Sequence, residues 1–357
     1  MPKRLLPLPL VLLGAACASP PPPPEPADLA PAADSVVTPW TDVTEATWLG
    51  GRRWAVLAPG HAELRVADFE RGTLEPLTGA GRDAFRQPYA IFRALDSLHV
   101  ADWEARALTT WGLDGRMGGR TPAPPESRGV LPAARDGRGR YYVELRPVPG
   151  PEGRGAADST LVLRLRAGGG ADTVAALAPV ELAEVATDRG RRLEARVFGG
   201  RDAWGVRPDG TIWIARVGQN RLDQVAPDGQ ARRGPLLPDP VLQVTQVDRD
   251  LFVESHPPEM RRSAAGLPFA ELKPPFERAF ADPAGTIWLE KSKVVGDSAR
   301  FYQLLDAEGG LARIIRVDGF GRVRGASPER ALVTRFADGR MVLFEHPLPA
   351  RAPAPAD

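Results

Sequence analysis

Arg207-Pro208-Asp209-Gly210-Thr211-Ile212-Trp213-Ile214 is answered further along the chain by Asp282-Pro283-Ala284-Gly285-Thr286-Ile287-Trp288-Leu289. In each stretch an Asp-Gly or Ala-Gly pair supplies the positive-φ residues a hairpin turn needs. A β-branched and aromatic run suited to a strand then follows. Working outward, the same opening strand returns at Trp54 to Leu57, Leu98 to Ala101, Tyr141 to Glu144 and Ala331 to Thr334. Each is followed by a partner strand: Leu64 to Phe69, Ala107 to Leu113, Thr160 to Leu165, Arg221 to Val225, Phe301 to Leu305 and Arg340 to Phe344. Five of the six pairs then reach a glycine: Gly72, Gly115, Gly169, Gly229 and Gly309. A multi-strand unit repeated at this spacing predicts an all-β, six-bladed β-propeller.

The repeat starts, Gly51, Asp96, Gly139, Gly210, Gly285 and Arg330, lie about 45 residues apart except across two longer steps. Between Gly139 and Gly210, Pro147 to Asp158 lengthens a hairpin and Ala183 to Arg196 adds an excursion. Between Gly210 and Gly285, Asp250 to Val253 could open a seventh blade, but no partner strand follows it. Val241, Val244, Val247 and Leu251 instead stand near helical spacing. Asp239 and Pro240 read as an N-cap followed by the proline favoured at the first helical position. The expectation is therefore a helical insertion around residues 240–265, with its helix over Pro240 to Phe252 or beyond. Asp34-Ser35-Val36-Val37-Thr38 is a β-branched run at the start of the body, predicted to supply the missing outer strand of the last blade and close the ring.

The chain opens with Lys3 and Arg4, an apolar run from Leu5 to Leu13, and Gly14-Ala15-Ala16 before Cys17, the one cysteine in 357 residues. That order is a secretory signal too short to span a membrane, and the cysteine's place after small residues resembles a bacterial lipobox. Gly14 stands where the usual leucine would be. The expected organisation is a lipoprotein signal peptide (1–16), a Pro-rich tether (17–33), a six-bladed propeller (34–348) and a disordered tail (349–357). Cys17 is the expected lipidation site. Ala18 is not the aspartate that holds many lipoproteins at the inner membrane, which favours the outer membrane of the cell envelope. At ~3.1 Å per residue an extended tether from Ser19 to Ala33 would reach roughly 40 Å.

Positive and negative residues nearly balance, 46 against 45, so the chain lacks the basic footprint of a nucleic-acid binder. Arginine supplies nearly all the positive charge, as a biased genome composition would produce. The strand opening Pro-Asp-Gly-x-Ile-Trp and the segment Lys273 to Leu289 resemble bacterial six-bladed propellers of the NHL-repeat-like group. The resemblance covers roughly residues 44–347 and implies strand-turn-strand geometry without chemistry. Some six-bladed propellers are calcium-dependent lactonases, whose likeness implies channel carboxylates with asparagine ligands. Asn220 is the one asparagine here, so a site with several is excluded.

His61, His99, His256 and His346 form no metal-type pair. His99 fills the slot that tryptophan takes in blades four and five and reads as a strand histidine, while His61 falls in a turn. No catalytic, cofactor-binding or metal-binding residue is assigned, and no cofactor is expected. Trp213 and Trp288, at equivalent repeat positions, read as packing between blades. The function expected is a lipid-anchored binding or scaffold module for a protein, peptide or glycan. The alternative is a hydrolase or lyase centred on the channel. Convergent charged groups at a channel mouth would favour the enzyme; an apolar patch on a face or insertion would favour the binder.

Overall fold

The computed structural model describes residues 22–77, 84–127, 129–146, 160–187 and 190–349. Cys17, the signal peptide, the loop Pro147 to Asp158 and the tail beyond Pro349 lie outside the described residues. Six four-stranded antiparallel meanders make the blades of a β-propeller. Their innermost strands are Glu45–Gly50, Pro88–Ala94, Ala134–Arg135, Ala203–Val206, Phe276–Ala281 and Arg322–Ala326. The opening strands read from the sequence are the second strand of each blade, and their partners are the third.

Closure occurs as the β-branched run predicts. Asp34–Val37 pairs antiparallel with Arg340–Pro347, matching Val36 to Leu343 and Val37 to Val342. The first body strand thus completes the last blade. The leader docks too: Pro26–Asp28 lies parallel to Leu311–Asp318 on the outer edge of blade five, and Arg316 pairs with Asp28 at 3.0 Å. The backbone amide of Ala33 then donates to the Glu345 carbonyl at 2.9 Å. Proline suits such an edge, because an outer strand need not donate on both sides.

Six apolar clusters each fill the space between two successive blades. Trp288, Tyr302, Ile315, Val323 and Val333 join blades five and six. Trp213, Leu222, Ile287 and Leu305 join four and five. Trp40, Trp54, Leu332 and Leu343 join six and one. Trp213 and Trp288 are both buried, as their repeat positions predict. Among the described residues, the contact of blades two and three buries Ala101, Leu108 and Leu131 fully.

The insertion is helical, but its helix starts later than predicted. It runs over Gln246–Glu254 and is capped by Thr245, whose hydroxyl accepts from the Asp248 amide while Asp248 accepts from the Thr245 amide. A short helix, Arg261–Ala265, follows. Asp239 is not a cap: its carboxylate takes Lys291 at 2.6 Å, Asn220 at 2.6 Å and Gln303 at 3.0 Å. These partners lie on two blades, so a tertiary contact displaces the local capping preference. Of the helically spaced residues only Val244 is buried; Val241, Val247 and Leu251 are exposed. The excursion at Ala183 to Arg196 is a hairpin, Leu182–Thr187 against Gly190–Ala195.

Candidate functional site

Meander order fixes what each end of the propeller carries. Connections between first and second, and between third and fourth strands, share one end. Second-to-third and blade-to-blade connections share the other. The first end holds only tight turns such as 51–52, 207–211, 282–286 and 306–310. Aspartates organise several of them. Asp282 accepts from the Ala284 and Thr286 amides and from the Trp288 indole, and Asp136 from the Arg138 and Arg140 amides, the Arg140 side chain and the Tyr142 hydroxyl. Burial alone would raise the Asp136 carboxyl, yet these bonds and the Arg140 charge hold it below the usual range. Burial is the largest influence on the Asp282 carboxyl and pushes it up against the hydrogen bonds from Trp288, Thr286 and Ala284.

The second end carries the long connections: 123–133, the hairpin within 178–202, the loop 292–298 and the helical insertion within 237–275. By strand order, the exposed large hydrophobic residues among the described residues, all but Leu95 and Met117, lie toward this end, with Val37, Leu236 and Phe336 inside blade strands rather than on the connections. They include Val241 (74% exposed), Val247, Leu272, Val294, Val295 and Phe320. Two grooves flank the helix Gln246–Glu254. One lies between that helix and the segment from Ala265 to Phe269; the other is walled by Val241, Val247, Val294 and Val295. The insertion is pinned from below. Lys273 donates to Asp248 at 2.5 Å and to the Lys293 carbonyl at 2.6 Å, with both ion-pair partners buried. Phe198, Phe252 and Phe269 pack edge to face and tilted beside them.

The channel between the innermost strands is charged, and its charges are mostly occupied. An innermost strand has a sheet partner on one side only, so its other edge needs partners from elsewhere. Arg278 of blade five donates to the Val323 and Arg324 carbonyls of blade six, both at 3.0 Å. Arg324 reaches the Thr44 carbonyl at 3.4 Å, and Arg93 of blade two reaches the Trp48 carbonyl of blade one at 3.0 Å. Glu45 accepts from the Ile91 amide at 3.0 Å. Burial raises the Glu45 carboxyl against the pull of Arg278 and Arg324, and burial with two neighbouring guanidiniums brings Arg324 down to about 10. Part of the arginine content thus has a local structural use.

The histidines stay apart. His99 is buried in blade two, stacked on Phe92 at 4.8 Å and bonded to Thr110 and Ser97, and burial then the Arg135 charge bring it down to about 4. His61 lies in an exposed turn against Thr41. Asn220 is spent on the Leu237 carbonyl and Asp239. Among the described residues no group of three or more His, Cys, Asp or Glu is placed to hold a metal ion.

No protein-family model and no curated protein matches the chain. Solved structures do. A member of the DUF4221 family from Bacteroides vulgatus superposes with a TM-score of 0.50 at 9% identity, over 89% of this chain and 97% of that one. A gluconolactonase from Xanthomonas campestris gives 0.44 at 17% identity, over 92% and 99%. A virginiamycin B lyase from Staphylococcus aureus gives 0.44 at 10%, over 88% and 99%. At such identities the likeness is one of fold, and a fold of this kind hosts unrelated functions.

Proposed function

We propose that this chain is a lipid-anchored envelope propeller of the NHL-repeat-like kind, and that it works as a binding module whose docking surface is the insertion face. One observation carries the reading: exposed large hydrophobic residues are gathered at one end of the propeller and nearly missing from the other. Apolar surface exposed in water costs free energy, and a contiguous patch of it marks an interaction site. The chemistry suits a protein or peptide partner, since aliphatic walls such as Val241, Val247, Val294 and Val295 offer few polar atoms to a sugar. A channel-centred hydrolase or lyase is less well supported, because Arg93, Arg278 and Arg324 are committed to backbone carbonyls.

Site-specific photo-crosslinking tests the face. A benzophenone side chain at Val247 or Val241 is expected to give a defined adduct in intact envelopes, and one at Leu95, on the opposite end, none. Adducts from Leu95 alone would sink the reading; an adduct with a second copy of this chain would make the face a self-association surface. Cys17→Ser tests the anchor. The protein should leave the membrane fraction, since stable attachment needs more than one acyl chain, and retention of the variant would refute lipidation.

A further inference from the structure

The leader that docks on the outside of blade five enters from one end of the propeller. Pro26–Asp28 runs parallel to Leu311–Asp318, with Pro26 beside Ile314. Contacts at either end of that edge strand fix its direction. Near its start, Arg313 donates to the Pro349 carbonyl at 2.8 Å, and the neighbouring Leu348 amide donates at 2.8 Å to the carbonyl of Glu329, in the tight turn between the first two strands of blade six. Just past its end, the Gly319 amide donates at 2.7 Å to the carbonyl of Ser298, in the loop 292–298 of the insertion face. The edge strand therefore climbs from the tight-turn end to the insertion end, and the leader climbs with it. Several contacts hold it there. Ala27 and Leu29 pack on the apolar cluster between blades five and six. The Leu29 amide donates to the Arg316 carbonyl at 3.2 Å, and the buried His346 donates through Nδ1 to the Ala30 carbonyl at 2.8 Å. The Arg316–Asp28 pair is exposed and adds little by itself.

We propose that the docked leader orients the propeller on a lipid surface, with the tight-turn end toward the bilayer and the insertion face turned away from it. The inference rests on Cys17 being the lipidated residue. Docking removes Pro26 to Ala33 from the tether. From Cys17 to Pro26 the chain can then span about 30 Å at most, at ~3.3–3.6 Å per residue. For the insertion face to meet the lipid, that leash would have to double back over the outside of blade five. A leash leaving from the tight-turn side reaches the bilayer with no such reversal. An undocked leader returns Pro26 to Ala33 to the leash and removes the bias. The docked orientation presents the apolar walls at Val241, Val247, Val294 and Val295 to partners in water, not to acyl chains.

The test uses the full lipidated protein on phosphatidylcholine vesicles that carry an energy acceptor on a fraction of their headgroups. Lipidation consumes the one native thiol. A donor dye can then be attached at Ala284→Cys, in the exposed tight turn 282–286, or at Val247→Cys, on the insertion helix. Energy transfer should be at least threefold more efficient from the Ala284→Cys dye than from the Val247→Cys dye. Ala27→Pro combined with Asp28→Arg interrupts the leader's ladder and sets like charges side by side. This undocked variant should stay on the vesicles, and the two efficiencies should converge. Equal transfer from both dyes in the parent overturns the proposal. Stronger transfer from Val247→Cys also overturns it and makes the apolar face a lipid-contacting surface. A difference that survives undocking overturns it as well, since the leader is then not what orients the body. If the undocked variant does not fold, the two dyes in the parent decide. The anchor fails separately: Cys17→Ser bound to vesicles as well as the parent refutes lipidation and this inference with it, whereas a bound parent with equal transfer removes only the orientation.

Discussion

The two ends of this propeller are made from the same strands and differ in nearly everything else. At the tight-turn end, backbone polar groups are met inside the turn. Asp282 and Asp136 each gather amides from their own turn and a ring donor from the strand behind it. Such turns hold themselves without help from a partner and expose few large apolar residues. At the insertion end the connections are long, pinned by ion pairs such as the buried Lys273–Asp248 and the largely buried Lys291–Asp239, and they leave Val241, Val247, Val294 and Phe320 in water. Repeat scaffolds commonly place insertions, and binding, on one face. If the insertion face is the docking surface, stability and recognition are separated along the blade axis. Substitutions can test that separation directly.

The largest effect is expected where the turn end meets the core. Trp288 is fully buried between blades five and six, stacked on Phe280 at 5.8 Å, with its indole donating to Asp282. Trp288→Ala should cost about 3–5 kcal/mol by urea unfolding, from lost burial and the cavity left behind. Trp103→Ala, the same change at an exposed position of the insertion face, should fall within about 0.5 kcal/mol of the parent. Similar losses for both would erase the contrast between the ends.

A smaller effect concerns the interface between blades two and three. His99 is neutral in the folded protein because burial brings it down to about 4, whereas in the unfolded chain it titrates near the ordinary histidine value of 6.5. The unfolded state therefore binds the extra proton as pH falls through that upper value, and stability is lost between the two. At pH 4.5 the loss from this one group is about 2–3 kcal/mol. Urea midpoints at pH 7.5 and 4.5 should show it, and His99→Gln should flatten that part of the profile. An unchanged slope in the variant would assign the acid sensitivity to other groups.

Much of this architecture was legible in the chain, and the unread parts share a cause. The second and third strands, the turn glycines and the closing strand at Val36 and Val37 are set by local composition, and local composition is what a sequence displays. The burial of Trp213 and Trp288 followed from their repeating at one position. The innermost strands are cue-poor, down to Ala134–Arg135 in blade three. The helix starts later than its capping signal predicts because Asp239 is drawn to Lys291 and Gln303, residues far along the chain. Arg278 and Arg93 carry no local cue, because the carbonyls they bind belong to neighbouring blades. The segregation of Val241, Val294 and Phe320 onto one end had no linear signal, since it depends on which strand ends come together.

The smallest effect on stability is paired with the sharpest test of recognition. Phe320 sits between Gly319 and Gly321 in the turn that joins blades five and six, and it is 91% exposed. Gly319 takes φ +68°, a conformation that suits glycine and lets the turn close tightly while presenting the ring. An aromatic side chain held in water on a short turn buries nothing in the folded protein, so Phe320→Asp should leave the unfolding midpoint within about 0.5 kcal/mol of the parent. Aromatic side chains are also the commonest anchors of interfaces, where truncating one costs on the order of 2 kcal/mol or more. If the insertion face is a docking surface that extends to blade six, Phe320→Asp should weaken the Val247 adduct at least tenfold at matched expression. If the adduct is unchanged, the docking surface ends at the insertion. A loss of folding stability well beyond that margin would mean the ring packs in a way its exposure denies, and the separation between the two ends would fail at blade six.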